Sequence, residues 1–517
     1  MSKVFKIISF LLVAAVFLCS CSGNKMTSVS NDDSSKDSYK DGGTIKMGTV
    51  PVDTLNPLVT AHSSVADFLS LIYEGLFVTM PDLSAKPVLA SEYVASADNT
   101  TYTINLKGGV KFHSGKAFSS EDVLATLSYI STYGGKYTSV TDVIASCDAP
   151  SSDTVIINLK RPVADFVNVL DFPILPSGLE TDSFVVPSSS FVPVGTGMYC
   201  YDGIIEHKNI YLKANNSWHD SHKRAHIDKI DIEILSDEET VISAFDAGTT
   251  DIFAGSWKNP AELNLTSSRY NMFETVQNRL TFIGINTAAA AFDTREERTS
   301  FVSVINRDKL CEDIMLGRAE SALFPVREGV YFDEKTSDSE KEETTETNLK
   351  EETIEKPSEL MLLYNSDSKT KKRLALAVKQ QLDIAGYNTV LNPQPFDAYL
   401  AKVANCEYDL YVGEVNIDNA SDLEFMFGEK RSGENICSFS DPELATLVSN
   451  LNRMSGRENR VVAFENFKKY YSENAFQISL YFTKGAVYVS KKVNGSLTPN
   501  LSNLYYGFEN LYLEKQD

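Results

Sequence analysis

His113 lies between a glycine-rich turn and a pair of acids in TYTINLKGGVKFHSGKAFSSED (101–122), a setting that would suit a metal ligand or a general acid/base. The acids, however, have a structural task. Ser119 stands three residues ahead of Asp122 and just before an apolar-periodic run, the pattern of a helix N-terminal box whose carboxylates also favour the positive end of the helix dipole. His113 is then expected to be a packed or hydrogen-bonded loop residue. A second cluster, His219, His222 and His226 in WHDSHKRAH, would place two imidazoles on one helical face beside Asp220, as zinc or nickel sites require. Against that, Ser217, Asp220 and Ser221 read as a turn, and Lys223-Arg224 would repel a cation. HExxH, P-loop, GxSxG and paired SxxK/KTG patterns are all missing. Cys147, Cys200, Cys311, Cys406 and Cys437 make an odd set without CxxC spacing; Cys406 with Cys437 is the disulfide to test first. Nothing assembles a catalytic centre, and neither metal nor cofactor is expected.

The elements around these residues alternate. GTIKMGTV, TYTINL and TVIINL read as strands, the last two by their period-two patterning. SSVADFLSLIYEGLF reads as a helix ending at Gly75, and EDVLATLSYISTY and segments near 240–247, 295–306, 370–386, 441–453 and 457–472 are also helical. This is an α/β chain with mixed sheets. At 517 residues and 43% hydrophobic content it exceeds one core, so two or three domains are expected. A net charge of −22 excludes tracking along nucleic acid. Asp333–Lys356 carries ten acids and four lysines with almost no apolar residues and reads as a solvated, disordered insertion.

The N-terminus has a lysine-bearing start, a twelve-residue apolar run too short to span a bilayer, and a polar stretch after Cys21. Leu18-Cys19-Ser20-Cys21 resembles the bacterial lipobox. That resemblance implies that residues 1–20 are removed, that Cys21 is lipidated, and that 21–43 tethers the body to the extracytoplasmic face of the membrane.

The stretch around His113 also resembles the signature of family 5 bacterial extracellular solute-binding proteins, the peptide-binding receptors of ABC importers. The resembling residues run from Asp98 through Tyr102, Leu106 and Lys107 to Gly109-Val110-Lys111-Phe112-His113-Ser114-Gly115 and Glu121-Asp122-Val123. Further matches follow in the family's order: Leu55-Asn56-Pro57, Tyr73-Glu74-Gly75-Leu76, Pro87-Val88-Leu89-Ala90, Pro193-Val194-Gly195-Thr196-Gly197-Met198-Tyr199, Arg307-Asp308-Lys309-Leu310 and Tyr408-Asp409-Leu410. Ser114, Met198 and Asn306 depart from the usual Asp, Pro and Asp, and Glu414 stands where tryptophan is frequent.

The resemblance implies a type II periplasmic-binding-protein-like fold: two lobes with mixed sheets joined by a two-strand hinge, plus an extra inserted domain. Lobe I is expected at 44–75, 188–275 and 490–517, the inserted domain at 76–187, and lobe III at 276–489, with crossings near Asn278–Asn286 and Tyr488–Leu497. It further implies a monomeric receptor, not an enzyme, that captures short peptides in the cleft and hands them to ABC permease subunits. Asp418 is the expected anchor for the peptide ammonium, with Asn419 beside it and Asn416 and Asp422 as near alternatives; Glu414 is a candidate partner for a basic side chain. Nickel complexes, haem or sugars are the alternative ligands, and a peptide-sensing signalling receptor or an exported peptidase the alternative roles.

Overall fold

The structure, a computed structural model, describes residues 39–187, 191–255, 265, 267–327, 359–417, 422–428 and 441–514. Residues 21–38 of the expected tether, Cys21 among them, the acidic insertion, Asp418, Asn419 and Cys437 lie outside these; residues 39–43, assigned to the tether from sequence, are described, and Asp41 pairs with Arg224 and His226. Residues 41–513 form one compact unit; a second unit, 1–40 with 514–517, contributes only Tyr39, Lys40 and Glu514 to the described residues.

Strand β1 (Thr44–Thr49) opens the large unit, and helix α1 (Ser63–Leu69) follows. That helix is shorter than the sequence predicts. The backbone beyond it is taken by the glycine motif: the Gly197 N–H donates to the Ile72 carbonyl at 2.9 Å and the Tyr199 N–H to the Leu71 carbonyl at 3.0 Å. A side chain at Gly195 or Gly197 would collide with the Ile72 carbonyl, its Cβ falling at 2.0 and 2.7 Å respectively, so both glycines are required by close approach.

An antiparallel sheet of four strands follows: β2 (Ala90–Ala95), β3 (Thr101–Leu106), β4 (Ile144–Ser151) and β5 (Thr154–Leu159), in the order β2-β3-β5-β4. Tyr102, Ile104 and Leu106 alternate inward with Val155, Ile157 and Leu159, as the period-two pattern predicts. Val123, Leu127 and Ile130 of helix α2 (Ser120–Tyr133) join the same apolar core. Each such aliphatic side chain, fully buried, contributes about 1.5–3 kcal/mol.

Ten further strands build, with β1, one mixed sheet. They are β6 (Tyr199–Ile205), β7 (Asn209–Ala214), β8 (Lys229–Ile234), β9 (Ile252–Ala254), β10 (Tyr270–Ile285), β11 (Ala319–Ser321), β12 (Leu360–Asn365), β13 (Thr389–Gln394), β14 (Leu410–Asn416) and β15 (Gln477–Ser490). With β1 the order is β13-β12-β14-β10-β15-β9-β1-β8-β7-β6, and β11 pairs β15. One wing is parallel at β12, β13 and β14, the other at β8, β1 and β9. The long antiparallel pair β10 and β15 belongs to both wings. Tyr270–Val276 faces Ser490–Lys484, and pairing resumes at Leu280 with Phe482, so Gln277, Asn278 and Arg279 bulge opposite Thr483. Distinct cores cover the faces of the β12–β14 wing, one around Phe282, Leu363 and Phe467 and one around Ile283, Leu362 and Leu374.

Three helices complete the relevant frame: α3 (Lys369–Ile384), α4 (Pro442–Arg453) and α5 (Arg457–Asn474). The helix Arg307–Met315 begins at Asn306, whose side chain accepts the Lys309 N–H at 2.9 Å. Asparagine and aspartate cap equally well, so this departure from the family pattern is structurally neutral.

Candidate functional site

His113 is part of the scaffold. Its Nε2–H donates to the Gly197 carbonyl at 3.0 Å, its Nδ1 accepts the Gly195 N–H at 3.4 Å, and its own N–H donates to the Gly195 carbonyl at 2.8 Å. Such a pattern needs the neutral imidazole. Burial depresses its basicity accordingly, against smaller opposing effects of the Gly197 carbonyl and Glu74. The neighbouring acids do what the N-terminal box requires: Asp122, fully buried, accepts the Ser119 N–H at 2.9 Å and pairs with Lys116 at 2.6 Å.

WHDSHKRAH folds as a turn, and its histidines diverge. His219 donates from Nε2 to Glu74 at 2.8 Å, while His226 meets Asp41 at 2.7 Å. Among the described residues no group of three potential metal ligands converges. Glu74 instead organises a polar knot, accepting also from the Trp218 indole at 3.1 Å and the Thr196 hydroxyl at 2.8 Å. It lines a cavity of about 240 Å³ shared by Trp218, Lys107 and Tyr137.

The residues singled out for ligand binding sit at the carboxyl end of β14. In an α/β sheet, the carboxyl ends of parallel strands are where ligands dock. Glu414 pairs with Lys371 Nζ at 2.6 Å, and the same nitrogen lies 3.4 Å from the Thr281 hydroxyl. Burial alone would raise the Glu414 carboxyl; the Lys371 ammonium, Arg279 and Thr281 together hold it below the ordinary carboxylate range. Burial in turn draws the Lys371 ammonium down. Asn416 Oδ1 accepts from Arg279 Nε at 3.2 Å. The next residue, Ile417, donates its N–H to the Asn278 carbonyl at 2.9 Å, fastening the end of β14 to the bulge of β10. Asp418 and Asn419 follow directly, outside the described residues. Asp422 is buried and engaged elsewhere, paired with Arg161 and accepting from Asn452 Nδ2 at 2.9 Å.

Sequence reasoning missed Lys371, Thr281 and Gln277. The Gln277 amide nitrogen, buried at the bulge, has no hydrogen-bond partner among the described residues, and a Cβ on Gly485 would lie 3.0 Å from it. No local signal marks these positions: strand register brings Thr281 and helix docking brings Lys371 to Glu414, and Gln277 stands at the bulge beside Gly485. The result is a wall of donors and paired charges, with no nucleophile–base couple among the residues named.

Residues 84–435 match the model of bacterial extracellular solute-binding proteins, family 5 Middle. The chain is 23% identical to the oligopeptide-binding protein AppA of Bacillus subtilis, over 94% of this chain and 95% of that protein. The glutathione-binding protein GsiB of Escherichia coli is 28% identical over 54% of this chain and 55% of its own length. Among solved structures, the ABC transporter substrate-binding protein CtaP from Listeria monocytogenes superposes with a TM-score of 0.74 at 20% identity, covering 92% of this chain and all of that one. AppA in complex with a nonapeptide gives a TM-score of 0.63 at 19% identity, covering 92% of this chain and all of that chain.

Proposed function

Because the chain belongs to the family 5 bacterial extracellular solute-binding proteins, substrate-binding components of ABC transporters, we propose that it captures short peptides in an interlobe cleft and delivers them to an ABC permease. The observation that carries this reading is the match to an oligopeptide-binding relative along nearly the whole of both chains.

In this reading β10 and β15 form the hinge, flexing where three residues bulge opposite Thr483; the second crossing then lies near Thr483, ahead of the expected 488–497, and Val487–Val489, paired with β9, go with lobe I. Closure buries the peptide and excludes water. Extended peptide backbone pairs with strand edges, giving affinity that tolerates many side chains. Asp418, one residue beyond the anchored Ile417, holds the free ammonium by a charge-assisted bond, with Asn419 and Asn416 alongside. Glu414, already neutralised by Lys371, presents a carboxylate that a basic side chain would have to share. The protein acts as a monomer tethered through Cys21. Its mechanism is population shift: ligand stabilises the closed form that the permease recognises.

The test is calorimetry with a dipeptide-to-pentapeptide set, alongside nickel and oligosaccharides, with mass spectrometry of the recovered peptide. Intact peptide and measurable affinity are expected; silence with every peptide, or a hydrolysed product, refutes the proposal. Asp418→Ala is expected to weaken peptides with a free amine far more than N-acetylated ones, and equal losses would remove Asp418 from its role.

A further inference from the structure

Away from the β14 site, the four-stranded insertion meets the end of the β12–β14 wing along a seam of polar contacts. Asn99, at the turn between β2 and β3, takes the left-handed backbone conformation, φ 54°, that asparagine tolerates. Its amide donates to the Asn452 carbonyl at 3.2 Å and the Met454 carbonyl at 3.1 Å. These carbonyls sit at the end of α4, where a helix leaves acceptors unsatisfied, so the turn of one domain caps a helix of the other. Beside it run two ion pairs of opposite sense: Arg161 of the insertion with Asp422, and Asp165 of the insertion with Arg460 at the start of α5. Asn452 Nδ2 reaches the same Asp422 carboxylate, linking the cap to the first pair. Arg327 adds a hydrogen bond to the Pro81 carbonyl at 3.0 Å.

We propose that Asn99, Arg161 and Asp165, with Asp422, Asn452 and Arg460 opposite, form a clasp whose engagement sets the closed-state population, and hence ligand affinity, without touching the ligand. These are positioning residues, and the inference rests on the closing-receptor reading above. Crossed polarity gives the seam one register: sliding the insertion along the wing one way would bring Arg161 toward Arg460, and sliding it the other way would bring Asp165 toward Asp422. The energetics suit a device that must reopen. Burial opposes the charge on both Asp165 and Arg460, so each forms its pair at the expense of hydration. Buried pairs of this kind come close to breaking even. A clasp near balance biases the closed state without locking it, whereas a strong one would bar ligand entry. When binding requires the closed state, a tenfold drop in its population raises the apparent Kd about tenfold.

The experiment uses the full-length protein, Arg161→Asp, Asp422→Arg, and the double exchange that reinstates the pair with reversed sign. X-ray scattering of the ligand-free proteins reads compaction; calorimetry with an alanine series of tri- to hexapeptides reads affinity. Each single reversal is expected to expand the ligand-free protein and to raise Kd about five- to tenfold, and the double exchange to return both toward wild type. Singles that scatter and bind like wild type, or a double with no recovery, overturn the clasp. If the reversals do not fold, Asn99→Ala keeps the question decidable, with expansion and a two- to fivefold rise in Kd expected. If the wild-type protein binds none of the peptides, the functional reading fails, while scattering of the ligand-free variants still judges the clasp.

Discussion

Replacing Glu74 by glutamine is the sharpest check on whether the polar knot at Trp218 is scaffold or binding site. The carboxylate accepts from the Trp218 indole on Oε1 and from His219 and Thr196 on Oε2, and its side chain is only 12% exposed. Glutamine keeps the shape but turns one acceptor into a donor. If its oxygen stays at the Oε2 position, its NH₂ confronts the indole N–H; if the amide flips, it confronts both the hydroxyl and the imidazole. The better arrangement leaves one buried donor orphaned, about 1–3 kcal/mol, and weakens two charge-assisted bonds, so a total of about 2–4 kcal/mol is expected. Urea unfolding followed by tryptophan emission is the assay, since Trp218 is one of two tryptophans. The midpoint should fall while peptide Kd stays within about twofold, because a uniform loss of scaffold stability does not alter cleft contacts. An unchanged midpoint would refute the argument. A tenfold rise in Kd without loss of stability would make Glu74 a ligand group of the adjoining cavity.

Other outcomes follow from the same geometry. Lys371→Met removes the counter-ion of Glu414 and should favour peptides bearing lysine over matched norleucine peptides; an unchanged ratio of affinities in calorimetry would place Glu414 away from the ligand. The same variant should cost about 1 kcal/mol or less in thermal unfolding at neutral pH, since Glu414 is partly exposed and screened. His113, whose folded-state pKa is depressed, must charge less readily in the native protein than in the unfolded chain. Its contribution is therefore fully present above the unfolded value near ~6.5 and is lost as pH falls toward the folded one. His113→Gln should flatten that slope in melting temperature against pH, and an unaltered slope would argue against the assignment.

Patterns within a few residues were legible. TYTINL and TVIINL alternate buried and half-buried side chains because their strands have one face on a core, and SSED marks a helix start because cap chemistry is local. The helix expected through Gly75 stops at Leu69, since carbonyls needed for its next turn accept from Gly197 and Tyr199, more than 120 residues away. The partners of Glu414 were hidden for the same reason. Thr281 lies opposite Glu414 by strand register alone, and Lys371 reaches it from the first turn of α3. The ion pairs of the seam join residues separated by 261 and 295 positions, a distance over which no spacing rule operates.

The short strand β9 finds its antiparallel neighbour in Val487–Val489 of β15, more than 230 residues later. The first-built half of the molecule therefore lacks a structural member until nearly all of the polypeptide has been synthesised. Loop closure across so long an interval is slow, and it delays compaction of the nascent chain. A chain that had to be threaded through a secretion channel would gain from that postponement, because it would pass before it hardened.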